Sequence, residues 1–383
     1  MKGMRFFVFL GAALCLFASC SRGGAGGTSA PATGAASAAP APAVIGPDFG
    51  KVKVGVLLNQ TTRDGGWSQS HGTAFARVKV DLGLRDDQLI IMERVPDSGA
   101  ETDAAIEALI GEGCDMIFAT SAGFTQPIKN AATRYPDIKF HQFEGATLEN
   151  TASYSVRDYE GIFLCGYVAG RMSRGDALGF MAAQPTASVV RAINSFARGA
   201  KYARPGATVR VIWANSWYDP AAEKEGSTSL LDSGITVLGY HGSTSAVMQA
   251  AEEAGGYATG FHIDMHDYAP KAVLTSFVWN WAPIYNEFIT NYVTGNWTNA
   301  TAFPGIEVGC AGVAPFNTDI IPADIIADSE AVRAKLTSGE IEVFAGPVID
   351  NKGNRLLAEG EKFEDQELID MMFLIDNVIG SLP

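Results

Sequence analysis

The sequence predicts an α/β fold of two lobes, each a mainly parallel sheet flanked by helices and joined to the other by hinge crossings. Three observations carry this. Short β-branched or apolar runs alternate with longer segments whose apolar residues recur at helical spacing, which is the signature of βαβ units. The alternation runs to about residue 143 and restarts near residue 159 with no linker between. The chain beyond residue 47 is also long for one hydrophobic core, which favours two domains.

The N-terminus is read separately. Lys2 and Arg5 flank the start of an apolar run over residues 6–17, too short to cross the ~30 Å hydrocarbon of a bilayer as a helix. Ala18, Ser19 and Cys20 then supply the small residues and cysteine at which bacterial lipoproteins are cut and lipidated. Residues 1–19 are therefore expected to be a signal peptide and Cys20 the lipid-bearing residue, making an exported membrane lipoprotein that faces the periplasm or cell exterior. Residues 20–47 are almost wholly Gly, Ala, Pro, Ser and Thr after the cysteine, with Arg22 the one charge. Such a segment buries too little apolar surface to fold, and serves as a flexible tether.

In the first half, strands are expected over 51–58, 89–95, 116–120 and 139–143, with helices over 67–82, 101–112 and 126–135 between them. In the second half, helices fall over 159–172, 188–203, 220–232, 244–254 and 282–294. Strands fall over 177–182, 209–213, 236–240, 257–263 and 273–278. Pattern restarts place one lobe over 48–156 plus 277–312 and the other over 157–276 plus 313–383. Neither half carries a G-x-G-x-x-G or a P-loop. Ligands of such sheets bind at the carboxyl ends of strands. In a two-lobed arrangement those ends face each other across a cleft that closes by a hinge, as in periplasmic solute receptors.

Composition narrows the partners. With 28 lysines and arginines against 42 aspartates and glutamates the chain carries −14, and loss of Lys2 and Arg5 with the signal makes the mature chain more acidic still. Phosphate binding draws on clustered cations, so nucleic acid and anionic lipid are excluded as partners; membrane contact is through the lipid alone. No later stretch is long and apolar enough to span a bilayer. Cys114, Cys165 and Cys310 are widely spaced in apolar or Gly-rich settings and read as buried free thiols. No G-x-S-x-G, H-E-x-x-H or paired Cys–His motif is present, so a non-enzymatic protein without cofactor or metal is expected.

Five of the six tryptophans fall in the segments that follow strands: NQTTRDGGW, WANSWYDP and SFVWNW. A tryptophan in a cleft offers a flat apolar face and one N–H donor. Asn59, Ser121 and Asn215 supply neutral hydrogen-bonding groups nearby, and Asp64, Asp219 and Asp264 supply carboxylates. The set suits a flat, polar-edged heterocycle held between aromatic faces. His71 follows Trp67 by one helical turn, so it faces either the ligand or the helix's own neighbours. Residues 262, 264 and 266 share one face if the strand continues, which makes His262, Asp264 and His266 a conceivable metal set. Asp267, Tyr268 and Pro270 break the strand at once, so polar contact with a ligand is the preferred reading for His262 and Asp264.

Several longer segments together carry a resemblance. KVGVLLNQTTRDGGWSQSHGTAFARVK, MIFATSAGF, PDIKFHQFEG, YEGIFLCGYVAGRMS, VIWANSWYDPAAEKEGSTSLLDSG, LTSFVWNWAPIY and FAGPVIDNKG resemble the basic membrane protein family of ABC-transporter substrate-binding lipoproteins, of the purine-binding, PnrA-like type. The resemblance implies the two-lobed type I periplasmic-binding-protein fold, an ABC permease as partner, a monomer, and a purine base or nucleoside as ligand. By position it places Trp67 and Trp217 at the two stacking aromatics, and Asn59 with the 121–124 loop, including Gly123 and Phe124, at the base edge. Nucleoside binders carry an Asp and a Lys near the ribose where this chain has His262 and Trp279, and V-W-N-W resembles receptors for free bases such as adenine. The expectation is thus a purine receptor tilted toward the base. The alternatives are a receptor for a sugar or other polar solute, a nucleoside hydrolase, and a surface interaction lipoprotein.

Overall fold

A computed structural model describes residues 47–383. The expected signal peptide, the lipidation of Cys20 and the linker up to residue 46 lie outside the described residues.

The first sheet is wholly parallel, in the order β2-β1-β3-β4-β5, from β1 (Val54–Leu57), β2 (Leu89–Met92), β3 (Met116–Ala119), β4 (Lys139–Phe143) and β5 (Thr151–Tyr154). Alternate residues take opposite faces. Val54, Val56, Met116 and Phe118 pack with Phe75 of α1 (Trp67–Leu82). Leu57, Ile117 and Ala119 pack on the other side with Ile106 and Leu109 of α2 (Ala100–Gly111) and Ile128 of α3 (Thr125–Arg134). Burial on both faces is why these strands read as continuous apolar runs. β5 was not foreseen: its sequence, TASY, has no such run, yet all four residues are buried.

The second sheet has the order β11-β10-β9-β8-β6-β7-β14. Its strands are β6 (Ala177–Ala182), β7 (Thr208–Trp213), β8 (Val237–His241), β9 (Tyr257–Gly260), β10 (Val273–Trp279), β11 (Ala311–Val313) and β14 (Val378–Ile379). All neighbours are parallel except β10 and β11. α4 (Asp158–Met172), α5 (Ala187–Ala203), α6 (Pro220–Asp232), α7 (Ala246–Glu253) and α9 (Ala323–Thr337) belong to this half, with a short hairpin of β12 (Val348–Ile349) and β13 (Arg355–Leu357) and a short α10 (Asp365–Ile369). α4 and α5 lie backbone to backbone. A Cβ at Gly166 would sit 2.1 Å from the Phe196 carbonyl oxygen and one at Gly199 2.0 Å from that of Phe163, so only glycine permits the approach.

The chain crosses between the sheets at points a few residues from those expected. β10 stays paired through Trp279, and Ala311 already pairs with it, so the excursion runs between these residues rather than over 277–312. Within it, α8 (Ala282–Val293) packs beside α1 on the first sheet: Tyr285 stacks on Phe75 of α1 at 4.3 Å and meets Phe118 of β3 at 5.0 Å. The expected strand over 257–263 ends at Gly260. His262 has φ +73°, which turns its side chain out of the sheet's alternation, so residues 262, 264 and 266 do not share a strand face. Cys114, Cys165 and Cys310 are buried free thiols.

Candidate functional site

Residues at the carboxyl ends of strands from both sheets meet. Trp67 opens α1 after β1, and its indole N–H donates to the Thr120 carbonyl beyond β3 at 2.9 Å. The loop before it is held by Asp64, whose carboxylate accepts from the backbone N–H groups of Gly66, Ser68 and Gln69 at 2.9–3.0 Å. Asp64 is therefore spent on the turn and the start of α1. Gly66 abuts the other half: a Cβ there would lie 3.4 Å from His262 Cδ2 and 3.7 Å from Ser243 Cβ.

Three rings stack in a column across the junction, and a fourth lies at its edge. His71 stacks on Trp281 (4.6 Å, 20°), Trp281 on Trp279 (4.8 Å, 14°), and Trp279 lies 27° from parallel with His262 at 6.3 Å. Trp67 stands across the column, at 81° to His71, 82° to Trp281, 89° to Trp279 and 67° to His262, with centroids 4.5 to 5.9 Å away. Such edge-to-face contacts are favoured by ring quadrupoles. Phe143, at the end of β4, closes on Trp67 at 4.8 Å.

Polar atoms inside the aromatic wall are paired with few exceptions. The Trp279 indole N–H donates to His262 Nδ1 at 2.8 Å, and the Trp281 indole to Ser70 Oγ at 3.0 Å. His71 Nδ1 lies 2.6 Å from the Tyr285 hydroxyl, which lies 3.1 Å from that of Tyr154. His71 Nε2 and His241 Nδ1 are buried without a partner. Burial lowers the proton affinity of His71 and His262 well below the ordinary histidine range and brings His241 down to about 3. The histidines of the cleft are thus neutral.

A buried ion pair joins α4 and α5. Arg191 Nε bonds Asp158 Oδ1 at 3.1 Å with both side chains 1% exposed, and Arg191 Nη1 donates to the Leu368 carbonyl at 3.0 Å. Glu144, just past β4 with φ +45°, stands 3.9 Å from Arg191 Nη2, which links the first sheet's end to α5.

The other expected residues fall in varied places. Asn59 is half-buried and its Oδ1 accepts from Ser68 Oγ at 3.1 Å. Ser121 Oγ accepts from Gly123 N–H at 3.2 Å, and its carbonyl accepts from Gln142 at 2.5 Å. Gly123 has no room for a Cβ, which would lie 2.4 Å from Asp97 Cγ. Phe124 corrects the expectation: it is fully buried among Ile106, Leu109 and Ile128, so its ring serves the core rather than the cleft. Asn215 is exposed with φ +53°. Trp217 is 48% exposed and meets His241 at 6.3 Å, so the two stacking candidates, Trp67 and Trp217, have different ring neighbours. Asp219 caps α6 through Ala221 and Ala222 N–H at 3.1 and 3.0 Å. Asp264 is exposed and accepts from the His266 backbone at 3.0 Å. Among the described residues no group of three His, Cys, Asp or Glu side chains is placed to hold a metal.

Sequence reasoning missed Phe143, Tyr285, His241 and the Arg191–Asp158–Glu144 group. Trp281 was visible in the WNW run but unassigned. Phe143 and His241 end strands, a position that alone marks them as cleft candidates. Nothing in the local sequence pairs Arg191 with a residue thirty-three positions earlier.

The profile of the Bmp family, ABC transporter substrate-binding proteins of the PnrA-like type, matches residues 51–345. A purine-binding protein of Brucella abortus is 33% identical over 334 residues, covering 87% of this chain and 94% of its own length. A protein of Haloferax volcanii named for ABC-transporter glucose binding is 29% identical over 321 residues, 84% of this chain and 78% of its own. Among solved structures, an ABC-transporter solute-binding protein of Conexibacter woesei aligns with TM-score 0.64 at 22% identity, over 76% of this chain and 98% of its own; that likeness is one of fold, the type I solute-receptor fold.

Proposed function

This chain belongs to the PnrA-like family of ABC-transporter substrate-binding proteins, and from that premise we propose that it binds a purine, with preference for the free base, between its two sheets. A substrate-binding protein of an ABC transporter takes up a small molecule and hands it to a permease; it is not an enzyme. The observation that carries the purine reading is the enclosure of Trp67, from the first half, by the parallel Trp279–Trp281 pair at right angles. A planar ligand laid on Trp67 stands perpendicular to that pair, with its edge toward His262. Trp217 supplies the second face, and Asn59 and Ser121 the edge contacts. The relative from Brucella abortus, named for purine binding, supports the reading.

In this reading a base is preferred because Trp279 is held on one face by Trp281 and at its N–H edge by His262, where a ribose needs room. Cys20 anchors the protein through its lipid, and residues 21–47 give the receptor reach toward its permease. One acyl chain binds a membrane only marginally, so full modification of Cys20 is part of the proposal. The protein acts as a monomer.

Mass spectrometry of ligand released from the purified protein, followed by a thermal-shift panel of adenine, guanine, adenosine, guanosine and common sugars, tests this. Stabilisation by bases above nucleosides is the expected result. Stabilisation by a hexose alone overturns it in favour of the sugar reading, which the glucose-named relative favours.

A further inference from the structure

We propose that His262 carries its proton on Nε2 and donates it to a ring nitrogen of the bound heterocycle, with Trp279 as the positioning residue that sets this polarity. The proposal rests on the purine reading and adds to it the direction of one hydrogen bond. An indole N–H can only donate. The Trp279 indole lies 2.8 Å from His262 Nδ1, so Nδ1 must be the bare, accepting nitrogen. A neutral imidazole then bears its single proton on Nε2. Burial keeps the ring neutral, because a charged imidazole there would lose its hydration.

The Nε2 edge of the ring faces the junction of the two halves. Its neighbouring carbon, Cδ2, is the atom that a Cβ on Gly66 of the first half would approach to 3.4 Å. Across from Nε2 is Ser243 Oγ at 3.5 Å, a long contact that leaves the donor free for a better acceptor. The positive φ of His262 is what brings the ring here, since a continued strand would alternate it away. The backbone N–H of Trp279 lies 3.4 Å from the His262 carbonyl, so donor and histidine are held together at two points.

A fixed donor selects among flat ligands of equal size. It accepts a heterocycle with a bare ring nitrogen at that edge, and rejects one with a C–H there, because the buried N–H is then left unpaired. Trp279 touches the ligand's selectivity through the tautomer.

The experiment pairs ligand atoms with protein groups. Calorimetry is run with adenine and with 1-, 3- and 7-deazaadenine, on the wild type, His262→Phe and Trp279→Phe. One deaza compound is expected to bind the wild type about three- to tenfold more weakly than adenine, the range of one neutral hydrogen bond. That difference should vanish in His262→Phe and shrink in Trp279→Phe. Nitrogen-15 NMR of the wild type, which needs no ligand, should show His262 protonated on Nε2, with a mixture of tautomers in Trp279→Phe. Protonation on Nδ1 overturns the proposal, as does a deaza pattern that His262→Phe leaves unchanged. Failure of the wild type to bind any purine overturns the purine reading instead, while the NMR result still decides the tautomer.

Discussion

The indole centroids of Trp279 and Trp281 lie 4.8 Å apart with the rings 14° from parallel, although Trp279 ends a strand of the second sheet and Trp281 stands at the start of a helix packed on the first. One residue separates them. Asn280 donates from its side chain to the Gly309 carbonyl at 2.9 Å and from its backbone to Cys310 at 3.0 Å, which ties this crossing to the returning one. The junction between the halves is therefore itself an aromatic wall of the cleft, and the residues that join the lobes also shape the site.

Trp281 is fully buried, so its removal should be felt in stability first. Trp281→Ala is expected to cost about 3–5 kcal/mol, the range for deleting a buried large aromatic side chain. Trp281→Phe should cost less, since it keeps the stacked face and loses the bond to Ser70. Urea denaturation of the three proteins measures both; a loss below about 1 kcal/mol for the alanine variant contradicts the packing described.

Trp217 offers the opposite case. Being half exposed, it should be replaceable by Ala with little change in melting temperature while purine binding weakens by ~1–3 kcal/mol, the value of base–aromatic stacking. Trp67→Ala should weaken binding by a similar amount and destabilise as well, because five rings rest on it. Unchanged calorimetric affinity in both variants removes the sandwich.

Stability should depend on pH through the buried histidines. Burial lowers His71, His141, His241 and His262 below the usual 6.5, with His141 and His241 near 3. Between about 6.5 and about 3 the unfolded chain binds more protons than the folded one, so stability is complete above that window and falls as the pH drops through it. Each such histidine contributes a slope of up to about 1.4 kcal/mol per pH unit. Melting temperatures should decline steadily on acidification, less steeply in His241→Gln; a flat profile rules out neutral burial.

The Arg191–Asp158 pair is protected from solvent on both sides. Asp158→Ala leaves the buried guanidinium with only the more distant Glu144 carboxyl, 3.9 Å away, an expected loss of about 3–5 kcal/mol. Asp158→Asn retains an acceptor and should lose less. Chemical denaturation distinguishes them, and equal losses would mean that the charge itself contributes little.

Location and recognition should separate at Cys20. A Cys20→Ser protein is expected in the soluble fraction and still able to bind its ligand. Fractionation with the membrane despite the substitution rules out the lipid as the anchor.

The sequence by itself determined the alternation of strands and helices, because burial on both faces of a parallel sheet writes itself as apolar runs between helical periods. α1 and α6 fall on the residues expected, and β4 and β6 likewise. It also determined that Trp67 and Trp279 follow strands, whereas it placed His262 inside a strand that stops at Gly260. The tertiary structure decided the rest. TASY became a strand because its neighbours cover it, and Phe124 went into the core because the face it meets belongs to α2 and α3. Asp64 and Asp219 became caps because helix ends lay within reach of their carboxylates. The direction of the His262 proton was decided by an indole seventeen residues away, since a tautomer answers to the partner that arrives in space and not to the neighbours in the chain.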